Sequence, residues 1–403
     1  MSDIRSRHHL FDAALETILP SAVELRHVIH RDPRVGGKED EIAELLAQRL
    51  GMPQQPSIAD GRILRFGPRG GQAVALRAEL DALPITEATG VPWASTNGAM
   101  HACGHDVHMA ALYAAVWSIR TTMPDVPVVA LLQPREETYP CGAVDMLAAE
   151  EWRTAEIGAV IGAHLQPRIA HGTTSAASGP VNAASDEFEI VISGVGGHAA
   201  YPHTVEDSVL AAAAVITALQ QIVSRRTDPM QPAVVSIGLI QGGQSANVIP
   251  NDVRILGTIR TFDSGHRVQV ERDVESISQN VAAGYGCTAS FTITRGEPVL
   301  TNDPAIVEVM RPLLEGHRLT VGQDLRSCGA DDFAYYSDVL PSVMAFVGTG
   351  DGSPTSPGLH SPKFLPPDEA IEDVARVLLA GFVAAEHVLS QRSSGSLAEW
   401  SMS

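Results

Sequence analysis

The string His101-Ala102-Cys103-Gly104-His105-Asp106 places a thiol and an imidazole two positions apart at the entrance of an apolar helical stretch. Such a pair can converge on one metal ion, and Gly104 permits the tight backbone this requires. Taken alone, the string also reads as a capping Asp106 beside a buried cysteine and polar histidines. Gln133-Pro134-Arg135-Glu136-Glu137 sets two carboxylates side by side after an apolar run. Adjacent negative charges repel unless a cation or a proton holds them, which divides the work: one can bind metal, the other can take a proton from metal-bound water. A solvated charged loop is the alternative.

His164 closes the apolar run 159–164, and His360 stands in Gly358-Leu359-His360-Ser361-Pro362. Each by itself fits a structural histidine. As a set, Cys103, His105, Glu137, His164 and His360 provide five donors, enough for two neighbouring divalent ions that share a ligand. Gly194-Val195-Gly196-Gly197-His198-Ala199-Ala200 lacks the spacing of a dinucleotide fingerprint, and its glycines instead let His198 approach a substrate closely. Asn247 and Arg260 offer polar donors, with a turn-forming asparagine and an exposed strand arginine as the plain alternatives.

The elements that must position these groups follow from periodicity. Helical spacing covers residues 10–31 and 38–50, and short strands are expected at Arg62–Phe66 and 73–77. A helix over 106–120 and buried strands Val128–Gln133 and 159–164 continue an α/β layer pattern. After Ser178-Gly179-Pro180 the order becomes strand 187–193, helix 206–223, strands 233–240 and 253–260, helix 266–283 and strand Thr288–Arg295. Thr204 with Asp207 three residues on has capping-box spacing for the first of these helices. The order β-α-β-β-α-β is ferredoxin-like. We therefore expect an inserted α+β domain at 183–296, within a discontinuous catalytic domain of residues 1–182 and 297–403. The latter closes with helix 304–316, strand 342–347, helix 368–389 and a frayed tail from Ser390 to Ser403. Pro354, Pro357, Pro362, Pro366 and Pro367 mark a long loop before the closing helix.

The chain has 403 residues, 44% of them apolar and 19% charged, which is globular composition with room for two cores. A net charge of −19 without a basic block argues against nucleic acid or anionic membrane as partner. The amino terminus carries no secretory pattern, and no stretch is expected to be long and apolar enough to cross a bilayer. Cys103, Cys141, Cys287 and Cys328 are scattered and read as thiols, so the expected location is cytoplasmic.

Together these strings resemble the metal-dependent amidohydrolase family of hippurate hydrolases, auxin-conjugate hydrolases and N-acyl amino acid deacetylases. The likeness rests on Leu76-Arg77-Ala78-Glu79-Leu80-Asp81-Ala82-Leu83-Pro84, Met100 to Asp106, Gln133 to Glu137, Gly196-Gly197-His198-Ala199-Ala200, Asn247-Val248-Ile249-Pro250 and Leu359-His360-Ser361-Pro362-Lys363-Phe364. It implies a central mixed sheet flanked by helices, of phosphorylase/hydrolase-like type, with the inserted domain as lid and dimerisation surface of a homodimer or higher homo-oligomer.

It also implies two divalent ions per subunit held by Cys103, His105, Glu137, His164 and His360. Glu136 would be the catalytic acid-base, Asp81 would orient a metal-binding histidine, and His198, Asn247 and Arg260 would bind the small amide substrate. Cysteine and imidazole suit zinc; the carboxylate also admits manganese, cobalt or nickel. A metallo-dipeptidase or carboxypeptidase and a non-catalytic amino-acid-binding protein are the competing readings. The chain departs from the family pattern at Glu79, usually Asp, at Arg135, usually small, at Thr138-Tyr139-Pro140-Cys141-Gly142, usually glycine-rich, and at Gly329-Ala330-Asp331-Asp332-Phe333, usually Ser-Glu-Asp-Phe.

Overall fold

The computed structural model describes residues 2–315, 319–351, 353 and 356–400. The chain divides into two compact units. The first takes residues up to Gly179, Thr301–Leu325 and everything from Tyr335 onward; the second takes Pro180–Leu300 and Arg326–Ala334. Sequence pattern assigns 326–334 to the catalytic domain, whereas in the structure these residues cluster with the second unit.

The first unit is built on a seven-stranded sheet in the order Arg62–Phe66, Val128–Gln133, Ala73–Glu79, Ile157–Ala170, Ser342–Gly350, Thr173–Ser175, Thr320–Val321. The second to fifth of these run parallel, while Arg62–Phe66 is antiparallel to Val128–Gln133 and Thr173–Ser175 is antiparallel to Ser342–Gly350, so the sheet is mixed. Ala73–Glu79 and Val128–Gln133 are buried at every position, which parallel strands covered on both faces require. Helix His105–Thr122 is buried at every residue from His105 to Val116 and shares its core with helices Asp12–Arg31 and Glu369–Trp400.

Two boundaries differ from expectation for visible reasons. The strand expected to stop at His164 continues to Ala170, because Ser342–Gly350 pairs beside it along its length. Burial ends at Leu165, so the apolar pattern stops although the ladder does not. The closing helix runs to Trp400, through the tail expected to fray; there Ser390 bonds the His387 carbonyl and Arg392 pairs with Asp303. Gly316, Pro354 and residues 401–403 lie outside the described residues.

The second unit has a four-stranded antiparallel sheet, Thr288–Arg295, Ala184–Ser193, Asp252–Thr261, Ala233–Gly242, with helices Ser208–Leu219 and Ser264–Gly284. Its core gathers Phe188, Ile190, Val215, Ile255, Val270 and Ile277. Asp207, not Thr204, caps the first helix: its carboxylate accepts the Val209 and Leu210 amides at 3.1 and 2.9 Å, while the Thr204 hydroxyl turns back to Tyr201. The helix therefore begins at Ser208 rather than 206.

One expectation fails outright. Ser208–Arg226 spans 19 residues with mean hydropathy 1.4, long and apolar enough by composition to cross a membrane. Its Ala211, Ala212, Val215, Leu219 and Ile222 lie in the core of the second unit, and packing on a sheet demands the same apolar residues that a bilayer would.

Candidate metal centre and active site

The sequence-predicted donors all come from the first unit, and the parallel strands deliver two of the five, Glu137 and His164, together with Glu136 and Asp81. Asp81 follows Ala73–Glu79, Glu136 and Glu137 follow Val128–Gln133, and His164 projects from Ile157–Ala170. His105 opens the buried helix, after Gly104 at φ +86°. A Cβ at Gly104 would come within 2.7 Å of the Leu165 side chain, so both conformation and space demand glycine there. The loop bearing His360 is fastened to the cysteine segment by the His360 amide, which donates to the Ala102 carbonyl at 2.9 Å. His360 itself sits at φ +63°, a conformation that persists in a non-glycine residue only where neighbours impose it.

All five expected donors meet. The ligand atoms of Cys103, His105 and His164 lie within 4.8 Å of one another, as do those of Cys103, Glu137 and His360. Cys103 belongs to both groups, the position a shared ligand needs. Its sulfur is 3.5 Å from His164 Nε2, and Glu137 Oε1 is 3.3 Å from His360 Nε2. Glu136 Oε2 lies 3.9 Å from His105 Nε2.

Hydrogen bonds fix which ring nitrogens face this centre. His105 Nδ1 donates to the Asp81 carbonyl at 2.9 Å and His164 Nδ1 to the Leu165 carbonyl at 2.8 Å. A carbonyl only accepts, so each Nδ1 carries hydrogen and each neutral ring presents its Nε2 lone pair. His105 Nε2 is buried and has no hydrogen-bond partner among the described residues. A thiol, three imidazoles and a carboxylate with lone pairs converging in this way fit divalent metal ions.

The electrostatics point the same way. Burial lowers the tendency of His105 to hold a proton, but Asp81, Glu79 and Glu137 outweigh it and raise its pKa to about 10. Burial, then Glu137 and Glu136, pushes the Cys103 thiol well above its ordinary value. Both directions report an excess of negative charge that a bound cation would relieve. Asp81 serves the centre through two groups: its carbonyl holds His105, and its carboxylate accepts the Glu137 amide at 2.9 Å.

Several residues that sequence reasoning passed over stand close by. Arg26, fully buried, donates to Asp106 at 2.9 Å, to Asp368 at 2.7 Å and to the Pro366 carbonyl at 2.8 Å, tying the start of the His105 helix to the chain beyond His360. His30 faces Asp106 through Nδ1 at 2.9 Å and Glu87 through Nε2 at 3.2 Å. His108 bonds Glu79 and the Leu165 amide, and burial, outweighing Glu79, keeps it neutral with its pKa lowered to about 4. Helical register was the available signal: His105 and His108 are three apart, as are His27 and His30.

His30 yields a prediction with a definite sign. Burial opposes its charge, but Asp106 and Glu87 prevail and raise its pKa above 6.5. Its contribution to stability is therefore complete below pH 6.5 and fades as pH rises through the folded value. His30→Gln should destabilise the protein by about 1 to 3 kcal/mol at pH 6 and by clearly less at pH 9, measured by denaturant unfolding at both. An equal loss at the two pH values would show that His30 is not an ion-pair partner.

In the second unit the structure joins two of the three expected substrate residues. His198 and Val248 pair across a two-stranded ribbon, and the Ala199 amide donates to the Asn247 carbonyl, so His198 and Asn247 are neighbours, both exposed. Arg260 pairs with Ser185, eight residues along the strand from Asp252, which pairs with Ser193 near the His198 loop. At a rise of about 3.4 Å per residue this leaves Arg260 about 27 Å from that end.

A water held beside metal donors, with a carboxylate at hand to take its proton, is the working arrangement of metal-dependent amidohydrolases. Comparison with known proteins places the chain in that class. Residues 75–382 match the model of peptidase family M20/M25/M40. The chain is 38% identical over 365 residues to N-acetyl-L-cysteine deacetylase of Bacillus subtilis, covering 89% of this chain and 86% of that one. It is 34% identical over 372 residues to N-acetyldiaminopimelate deacetylase of Halalkalibacterium halodurans, covering 90% and 99%. The crystal structure of Bacillus subtilis YXEP, described as a dinuclear metal binding peptidase from the M20 family, superposes with a TM-score of 0.79 at 29% identity, over 91% of this chain and 98% of that one. The chain belongs to peptidase family M20/M25/M40, a family of dinuclear metal-dependent hydrolases.

Proposed function

We propose that the protein cleaves the amide bond of an N-acyl amino acid, or a closely related small conjugate, to a carboxylate and an amine. The observation that carries this reading is the pair of imidazoles, His105 and His164, whose Nδ1 atoms are committed to carbonyls so that both Nε2 atoms address the same cluster as Cys103. The two deacetylases to which the chain is similar support the N-acyl amino acid as substrate class.

Cys103, His105, Glu137, His164 and His360 are assigned to two divalent ions. Zinc suits the sulfur and imidazole donors, and manganese, cobalt or nickel are the alternatives. When bound, the ions would supply an acidified water and an electrophilic surface for the amide carbonyl. Glu136 takes a proton from the attacking water at its carboxylate and passes it to the amide nitrogen as the C–N bond breaks. Asp81 keeps His105 in the tautomer that presents Nε2. His198, Asn247 and Arg260 are assigned to the substrate carboxylate and the oxyanion.

The inserted domain at 183–296, which falls within the second unit, is assigned the roles of lid and dimerisation surface. Its edge strand Ala233–Gly242 exposes Leu239 and Ile240, the kind of edge that a second copy covers. A substrate of amino-acid size cannot span the distance from Arg260 to His198 within one unit, so contact with both takes them from two copies. Four free cysteines suit a cytoplasmic location.

A substrate panel with metal analysis tests the proposal. Acetyl, benzoyl and indole-acetyl amino acids should be hydrolysed by protein carrying two ions, and dipeptides with free amino termini should turn over at least about 100-fold more slowly, the order of discrimination when buried polar groups lack their partner. Faster turnover of the dipeptides would identify a dipeptidase instead.

A further inference from the structure

His108 is absorbed by neither metal binding nor proton transfer as described, yet it is buried between the rings that are. Its ring stacks edge-on against His164 with centroids 4.9 Å apart and lies 5.6 Å from that of His105. Nδ1 is 2.9 Å from Glu79 Oε2, and the Leu165 amide donates to Nε2 at 3.1 Å. Glu79 is held in turn by Arg77, whose Nε donates to Gln133 at 2.9 Å. Both backbone groups of Leu165 are thus held: its N–H, in the peptide that joins it to His164, by His108, and its C=O, in the following peptide, by the Nδ1 of His164 at 2.8 Å.

We propose that His108, locked in its Nδ1–H form by Glu79, is a positioning residue that orients the His164 ring toward the metal centre by anchoring the His164–Leu165 peptide. A carboxylate only accepts, so Glu79 fixes the hydrogen on Nδ1 of His108 and leaves Nε2 as an acceptor. That acceptor is used by Leu165, so His108 has no lone pair for a metal. The peptide it fixes joins His164 to Leu165, so it holds both the Cα from which the imidazole projects and the Cα of the residue whose carbonyl receives the imidazole hydrogen. Glutamate, one methylene longer than the aspartate usual at position 79, meets both Arg77 and His108 from the end of its strand.

The inference rests on His164 holding metal, and the test separates the two ideas. Cobalt(II) or zinc affinity of the metal-free protein is measured by competition with a chromophoric chelator, alongside the thermal midpoint of the metal-free protein. His108→Asn keeps a donor for Glu79 but has no atom where Nε2 was; His108→Gln restores an acceptor there. His108→Asn should weaken one of the two ions by about 10- to 100-fold with the midpoint of the metal-free protein unchanged, and His108→Gln should recover most of that loss. Wild-type affinity in His108→Asn, or equal losses in the two variants, overturns the proposal. Glu79→Gln provides a second arm should the histidine variants not fold: it should weaken the same ion, and unchanged affinity there also overturns it. His164→Ala should lose that ion outright; if it binds both ions normally, it is the reading of His164 that falls, and the proposal with it.

Discussion

Glu136→Ala should lower kcat by about 10²- to 10⁴-fold while the protein still binds two metal ions, because what it removes is a proton acceptor and donor rather than a ligand. On the free-energy scale this is about 3 to 5 kcal/mol of barrier. The distinction matters because Glu136, His105 and Glu137 also present ligand atoms within 4.8 Å of one another. Metal counted per chain in the purified variant therefore decides the role. A stoichiometry reduced to one ion would make Glu136 a ligand, and activity within a few-fold of wild type would remove it from the mechanism altogether.

The second large effect is a recovery. His198→Ala and Arg260→Ala, taken singly, should each lose about 10²- to 10³-fold in kcat/KM, the range for removing one donor to a developing charge. Mixed under conditions that exchange subunits, the two inactive proteins should regain about a quarter of wild-type activity. Half of randomly paired dimers are then mixed, and each mixed dimer has one site of two with both residues intact. The expectation follows from the strand length that separates Arg260 from the His198 loop. A mixture no more active than its components would mean that the two residues do not serve one substrate from different copies.

The cluster that forms the candidate metal centre was legible in the sequence because metal chemistry restricts residue type so strongly. Few side chains bind metal, so Cys103, His105, Glu137, His164 and His360 stand out even when some 200 residues separate the last two. The central strands were legible for a related reason: burial on both faces leaves runs such as Val128–Gln133 almost free of polar residues. What was illegible depends on geometry rather than type. No local pattern shows that His164 stands mid-strand, since the neighbour that extends the strand, Ser342–Gly350, lies far along the chain. Arg26 and His30 look like ordinary helix residues until Asp106, Asp368 and Glu87 come round them. The departure at Glu79 was visible as a substitution, but its meaning required His108 to be seen beside it. The start of helix Ser208–Leu219 was misplaced because two polar residues three positions apart, Thr204 and Asp207, compete to cap it, and only the hydrogen bonds choose.

The tie between the His360 amide and the Ala102 carbonyl has a consequence for how the protein is made. Four of the five donors leave the ribosome early, but the last follows only after the whole second unit has been synthesised. At about 5 to 20 residues per second, the roughly 200 residues between His164 and His360 impose a delay of about 10 to 40 seconds. During that interval the nascent chain offers an open, incomplete cage. With these five residues assigned to metal, an ion captured then would stay exchangeable with its surroundings until the final loop closes.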